Sequence, residues 1–352
     1  MRWRVREAGR SSVGPMQSCL TSLRPIHSSC RPVHHCRSNG PEMTVRIIEA
    51  GPQATLQGAP RDTYRHFGIP ASGPADPLSH AIANRLVGNA SDKTCIEITY
   101  GPFSAEFTST TAVALAGAIA PVYLNNQVKP FHHTLFVEAG DVLKIGRAEA
   151  GLRTYLSIAG GFQGEDFLSS QSTYLPAGFG GLEGRALKPE DMISAHDDVA
   201  CPQHVESTPE HLRFLLTHSF ALRASEGPDY QPSCENLWTE HFTATRRASR
   251  IGIELNGNFP DLGVAANLPS AGVFPGALQL PPRGRGFLLL PDCQTTGGYP
   301  HILQVNRSDR HLLGQLRPRD SLIFLHRTPD QAAEDLAKKQ ELIGSWLTDF
   351  RL

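Results

Sequence analysis

The residues best equipped for chemistry lie together between Phe287 and Ile302, in the stretch FLLLPDCQTTGGYPHI. Phe287 to Leu290 form a short apolar run, as a buried strand requires. The run delivers Asp292, Gln294, Thr295 and Thr296, that is, one carboxylate, one amide and two hydroxyls. Gly297, Gly298, Tyr299 and Pro300 then turn the chain. Paired glycines allow positive φ and close backbone approach, and Pro300 blocks continuation of a regular ladder. A loop of this kind at a strand end could floor a polar binding site. The same composition also makes an ordinary hairpin turn.

A second polar assembly precedes it. Tyr64 to Pro74 (YRHFGIPASGP) is dense in turn residues and leads into a helix. Asp76 stands at its N-cap, Pro77 at its first position, and Leu78, Ile82 and Leu86 recur at helical spacing before Gly88 ends it. Val45 to Glu49 and Ala54 to Gln57 read as strands. From Cys95 to Gly146 short β-rich runs alternate with turns at intervals of about 8–12 residues. One turn-then-strand device occurs three times, as Glu138-Ala139-Gly140-Asp141, Lys188-Pro189-Glu190-Asp191 and Arg317-Pro318-Arg319-Asp320, which suggests sheets closed by similar hairpins, as in small barrels. Gly160-Gly161-Phe162, closing a strand over Arg153 to Ala159, echoes Gly297-Gly298-Tyr299. The glycine-rich run Gly178 to Arg185 lacks the P-loop pattern; it reads as an anion nest beside Arg185 or as a plain connection. After a polar linker over Ala195 to Pro209, strands are expected at Leu212 to Leu216, Phe220 to Arg223, Arg250 to Leu255, Gly272 to Leu280, Gln304 to Asn306 and Leu322 to Leu325. Ser233 to Phe242 looks helical. A last helix starts at a Thr328/Gln331 capping box, with Leu336, Ile343 and Leu347 on its apolar side.

With 352 residues, 40% hydrophobic and 19% charged, the chain can bury a sizeable core and divide into two domains. Its net charge of −1 offers no single-sign field for nucleic acid or a membrane surface, and no run is apolar enough to span a membrane. Residues 1–42 differ: seven Arg against Glu7 and Glu42 give +5, leaving −6 on the remainder. This stretch reads as a disordered leader or as sequence upstream of a start at Met43; its Arg- and Ser-rich composition also resembles a mitochondrial transit peptide. Cys30, His34, His35 and Cys36 do not match a zinc-finger spacing, so no metal site is expected. Cys95, Cys201, Cys234 and Cys293 are scattered without a CxxC, as suits a reducing, cytoplasmic setting.

Several long motifs, in this order, resemble the biotin-dependent carboxyltransferase-like family. They are Ser72 to Pro77 (SGPADP), Ala83 to Asn89 (ANRLVGN), Ile96 to Thr99 (IEIT), Gly178 to Leu187, Pro275 to Pro281 (PGALQLP) and Asp292 to Pro300. The family includes the C subunit of bacterial 5-oxoprolinase, the second subunit of allophanate-hydrolase-type proteins and the antagonist of a sporulation kinase inhibitor. The resemblance covers roughly residues 45–327. It implies a mainly β fold of two cyclophilin-like β-barrel domains with a few short helices, at 43–200 and 211–328. A linker at 201–210 joins them and a C-terminal helix at 329–352 follows. It also implies two partners, a kinase-inhibitor-like B subunit held close and an A subunit, in an ATP-dependent enzyme that hydrolyses 5-oxoproline to L-glutamate. The alternatives are a regulatory protein that binds a B-like partner, or the acceptor side of a carboxyltransferase of urea carboxylase type. There is no biotinyl-lysine motif, so biotin would arrive on another chain; ATP would be bound with or by the partner subunits. The chain departs from the family at Gly58, Pro60, Asp62 and Thr63, at Ser169 to Thr173, where an Arg is missing, and at Ser249 and Ala271. These departures bear on substrate choice.

Opening a lactam requires polarising an amide carbonyl and anchoring a carboxylate. Arg61, Arg85 and Arg250 are candidate anchors because a guanidinium forks onto an oxyanion; each could equally be a structural ion pair. Asp292 is the candidate base, with Asp76 behind it because capping already explains Asp76. Gln279, Gln294, Thr295 and Thr296 could donate to a developing oxyanion. Tyr64, His66 and Tyr299 could wall the pocket, and the matching motifs add Gln57, Ser72, Gly73, Asn84, Gly297 and Gly298. The catalytic set expected is thus Asp292, Arg61, Arg250 and Gln294.

Overall fold

The computed structural model describes residues 43–196, 202–214, 216–262, 268–282 and 284–352. Residues 1–42, with Cys30, His34, His35 and Cys36, lie outside the described residues, as do Cys201 and part of the expected linker. The architecture is mainly β with few helices, as expected.

The N-terminal strands divide between two sheets. A six-stranded sheet runs Met192–Ser194, Thr44–Glu49, Phe103–Phe107, Val142–Ile145, Val122–Leu124, Gln127–Val128. A five-stranded sheet runs Gln53–Gln57, Cys95–Thr99, Ala150–Ile158, Thr111–Ile119, Thr134–Val137. Strand Thr111–Ile119 shows why this half has two layers of core. Val113 and Leu115 point into the space shared with Ile47, Leu56, Phe103 and Leu156. Ala112, Ala114 and Ala116 point the other way, against helix α1 (Pro77–Leu86), where small side chains let helix and sheet approach. Each fully buried Leu or Phe contributes about 1.5–3 kcal/mol.

The C-terminal strands close into a seven-stranded barrel in the order Ser219–Glu226, His301–Val305, Ala277–Gln279, Gly286–Leu289, Gly252–Asn256, Phe242–Ala248, Ser321–His326. All its pairings are antiparallel except the closing one, in which Ser219–Glu226 runs parallel to Ser321–His326. Leu222, Phe242, Leu255, Leu278, Leu288 and Phe324 fill it. Helix α2 (Pro329–Gly344) starts at the expected capping box. Ile343, Leu347 and Phe350 then join the α1 cluster, so the end of the chain packs on the N-terminal half. Among the described residues no helix is long and apolar enough to cross a membrane.

The repeated turn takes one geometry at all three places. Gly140, Glu190 and Arg319 have φ of 86°, 72° and 79°. In each turn the following aspartate accepts from the backbone N–H three residues earlier, at 2.8, 2.9 and 3.0 Å. The glycine echo does not repeat: Gly160 and Gly161 have positive φ, whereas Gly297 and Gly298 do not. Gly297 serves close approach instead, since a Cβ there would sit 2.5 Å from Gln279 Nε2.

Local expectations needed correction where polar punctuation outweighed hydrophobic pattern. Ser233 to Phe242 is a short 3-10 segment, Pro232–Trp238, and Phe242 begins a strand. Leu212 ends another 3-10 turn, Glu210–Leu212, rather than starting a strand. The run from Gly272 to Leu280 is broken by Pro275 and Gly276 into Ala271–Gly272 and Ala277–Gln279. A 3-10 turn, Asp62–Phe67, which overlaps the start of the Tyr64 to Pro74 loop, went unforeseen.

Candidate functional site

Arg250 lies just ahead of strand Gly252–Asn256, where its carbonyl accepts from Asp292 N–H at 3.0 Å. That pairing sets the two side chains face to face. Arg250 Nε and Nη2 fork onto both oxygens of Asp292 at 2.8 and 3.0 Å. The same guanidinium reaches the N-terminal half, donating to Glu97 at 2.5 Å, to the Gly73 carbonyl at 2.6 Å and to Gln57 at 3.4 Å. Glu97 also pairs with Arg153 at 3.3 Å and accepts from Tyr155 Oη at 2.7 Å and Ala75 N–H at 2.9 Å. Tyr155 in turn accepts from Asp76 N–H at 2.8 Å. Asp76 caps α1 through Ser79 N–H at 3.0 Å and accepts from Gln315 at 2.7 Å.

This knot holds two guanidinium and three carboxyl groups, Asp292, Glu97 and Asp76, all essentially buried. Burial pushes Glu97 toward protonation, but Arg250 and Arg153 outweigh it and hold its pKa below the ordinary carboxylate range. Burial acts against the Arg250 charge too, and Asp292 and Glu97 more than restore it. Asp76, by contrast, is pushed up by burial. Breaking such a pair leaves an uncompensated buried charge, at a cost of about 3–5 kcal/mol. The knot thus joins the barrel to the N-terminal half. In this arrangement both oxygens of Asp292 are engaged by Arg250, and the side chain is buried.

The other expected site residues scatter. Arg61 is buried and donates to the carbonyls of Phe167, Ser170 and Ser172, with its guanidinium 4.9 Å from the Phe179 ring centre. It holds down the loop around residues 167–172, more than 100 residues away. Gln57 is fixed by Thr55, the Thr173 carbonyl and Arg250. Asn84 orders the chain after α1 through Lys93 O at 2.8 Å and Ser157 Oγ at 2.8 Å, and Arg85 stacks on Trp346. His66 is exposed against Phe67 and Tyr64 is half-buried. Arg185 is committed to Asp191 at 2.7 and 2.9 Å, so it does not stand free beside the glycine-rich run.

The stretch from Phe287 to Ile302 runs between two cavities. On one side is an open groove of about 1200 Å³ at the barrel's end, where Gln294 donates to Gln279 at 3.0 Å beside Phe287 and Tyr299. Glu254 pairs there with Arg247 at 2.9 Å and Arg285 at 3.1 Å. Thr295 offers its carbonyl to Val273 N–H at 3.0 Å, while Thr296 and Gly297 pair with Gly272 and Ala271. Gly298 accepts from Leu268 N–H at 3.0 Å. On the other side is a cleft of about 700 Å³ between the barrel and the N-terminal half. Ser72, Pro74 and His80 line one wall; Phe274, Leu290 and Arg310 line the other. Burial holds the His80 imidazole neutral, donating to the Gln57 carbonyl at 3.1 Å.

Sequence reasoning missed Glu97, Arg153 and Tyr155 as members of the knot, and Arg65 and Arg310 in the cleft. Glu97 carried a signal, a lone carboxylate between Ile96 and Ile98 in a strand buried almost throughout. Arg65 sat inside the loop already singled out. Nothing local marked Arg310.

A mixed cleft between a two-sheet half and a closed β-barrel, tied by a buried arginine–carboxylate knot, is the site this fold builds. The chain belongs to the family described as carboxyltransferase domain, subdomain A and B, which matches residues 67–326. It is 31% identical over 292 residues to a protein of Escherichia coli named as the C subunit of 5-oxoprolinase, a match covering 82% of this chain and 93% of that one. It is 29% identical over 306 residues to urea amidolyase of Saccharomyces cerevisiae, covering 80% of this chain and only 16% of that protein. The crystal structure of the K. lactis urea amidolyase shares the fold, with a TM-score of 0.81 at 24% identity; the match covers 88% of this chain and 20% of that one.

Proposed function

We propose that this chain is the C subunit of an ATP-dependent 5-oxoprolinase, acting with A and B subunits to hydrolyse 5-oxoproline to L-glutamate. The observation that carries this reading is likeness along nearly the whole length of the E. coli C subunit. A protein of Haemophilus influenzae with the same name is 30% identical over 299 residues, and the match covers 96% of it. The cleft between the two halves is roomy enough for a small lactam and mixes apolar walls with polar donors, as ligand sites do. ATP is bound with or by the partner subunits. The free, buried Cys95, Cys234 and Cys293 suit a reducing cytoplasm.

A second reading, acceptor-side carboxyl transfer from biotin on another chain, rests on the urea amidolyase similarity. Glutamate release from 5-oxoproline, measured with and without this chain in the presence of co-expressed A and B subunits and ATP, separates the two. Turnover that requires the chain supports the hydrolase. If bicarbonate is incorporated into urea when biotinylated protein is added, and no glutamate is released, the assignment passes to carboxyl transfer.

A further inference from the structure

Many guanidinium groups among the described residues are held by a carboxylate. Arg46, Arg153, Arg185, Arg223, Arg250 and Arg327 each lie within 4.0 Å of a carboxylate. Three that line the 700 Å³ cleft are not, among the described residues: Arg351, whose Nη1 donates to the Phe350 carbonyl at 2.8 Å, and Arg65 and Arg310. Arg65 donates Nη2 to the Val273 carbonyl at 2.5 Å and rests on the Phe274 ring at 5.2 Å, while its Nη1 is buried without a hydrogen-bond partner. Arg310 opens the 3-10 segment Arg310–Gln315, and its Nε is likewise buried and unpartnered. Burial and the like charge of Arg307 draw the Arg310 pKa down to about 10, with Cys293 opposing them. Burial pushes the Cys293 thiol up, and Arg65, by its charge and a hydrogen bond, opposes that. A third orphan lines the same cleft: Ser72 Oγ is buried with no partner, on a backbone held at φ 56°.

We propose that this cleft is an oxyanion-binding site, in which Arg65, Arg310 and Ser72 receive the carboxylate or phosphoryl group of a small organic molecule. Buried donors are nearly always satisfied, and three left open in one cavity define what is missing: a compact acceptor carrying negative charge. Guanidinium groups fork onto such acceptors, and Ser72 adds a neutral donor. The carboxylates that also line the cleft, Asp62, Asp92 and Asp349, make no ion pair with either arginine; Asp349 is occupied by Ser91 N–H at 2.8 Å. Leu290, Leu313 and Phe274 leave apolar wall for the body of the ligand. The site is separate from the Arg250–Asp292 knot, whose charges already cancel.

The test is isothermal titration of the full chain with inorganic phosphate and, separately, with acetate, chloride being used to keep ionic strength constant. Saturable one-site binding of at least one anion is expected, weakened about tenfold by Arg310→Met and by Arg65→Met, since each removes a charge-assisted contact. Arg246→Met, at the exposed rim of the other groove, should leave it unchanged. Saturation by phosphate marks a phosphoryl site, and saturation by acetate a carboxylate site. No saturation by either anion, or equal affinity in wild type and both methionine variants, overturns the proposal. Should a methionine variant lose its circular dichroism signature, Arg310→Gln and Arg65→Gln replace the pair under the same criteria. Binding is read on this chain alone, so it stands or falls separately from turnover by the assembled enzyme.

Discussion

Buried Arg250 and the half-buried pair Arg65 and Arg310 flank the segment of Asp292 and Cys293, and they are built oppositely. Arg250 has two carboxylates, a carbonyl and an amide around it, and each of its three nitrogens has an acceptor. Arg65 and Arg310 retain buried nitrogens without partners, on the wall of a cleft. Residue type is the same; what differs is whether the protein itself supplies the acceptor. A saturated guanidinium is a fastener, because its interaction energy already goes into holding two halves together. An unsatisfied one is a receptor, because its desolvation is uncompensated until an anion arrives.

The largest expected effect tests that contrast directly. Arg250→Met strands Asp292 and costs about 3–5 kcal/mol in urea unfolding at pH 7. Arg310→Met removes a charge that has no partner and changes stability by less than about 1 kcal/mol, or raises it. Equal losses in the two variants would erase the distinction. Next in size is the acid limb of stability. Glu97 has a folded pKa below its unfolded value, so its contribution is complete above the unfolded pKa and disappears as pH falls through the folded one. Asp76, pushed up by burial, works with the opposite sign, so a difference curve is needed. Glu97→Gln should flatten the acid slope below about pH 4.5 by up to about 1.4 kcal/mol per pH unit. An unchanged slope would mean the knot is not the acid-sensitive joint. The smallest effect belongs to the cleft. Ser72→Gly relieves a positive φ and an unpartnered hydroxyl, and should raise unfolding free energy by about 0.5–1 kcal/mol while weakening phosphate or acetate binding. A fall in stability would show that Ser72 is a structural donor after all.

Much of the fold was legible locally. The Asp76 cap, Pro77, the Gly88 stop and the Thr328/Gln331 box each act within one turn of helix, so their residues alone reveal them. The thrice-used turn was equally visible, because an aspartate that folds back on its own turn needs no distant partner. The site was half legible. Arg250 and Asp292 were picked out by type, and they do meet. The reading as anchor and base could not anticipate Glu97, which closes on Arg250 from 153 residues away. Gln279, Gln294 and Tyr299 gather in a groove on the other side of the same stretch, although in sequence they look like members of one site. Arg310 escaped notice because a half-buried arginine beside a 3-10 turn has no local signature.

The sequence by itself determined the β-rich architecture, the helix ends and the turns, since propensity, capping and periodicity act over a few residues. It also determined the family, through long motifs kept in order. Only the tertiary structure decided which polar side chains are used up and which remain free. That depends on which acceptors the packed chain brings within about 3 Å of each donor after water is excluded, and partners so distant in sequence leave no trace in spacing.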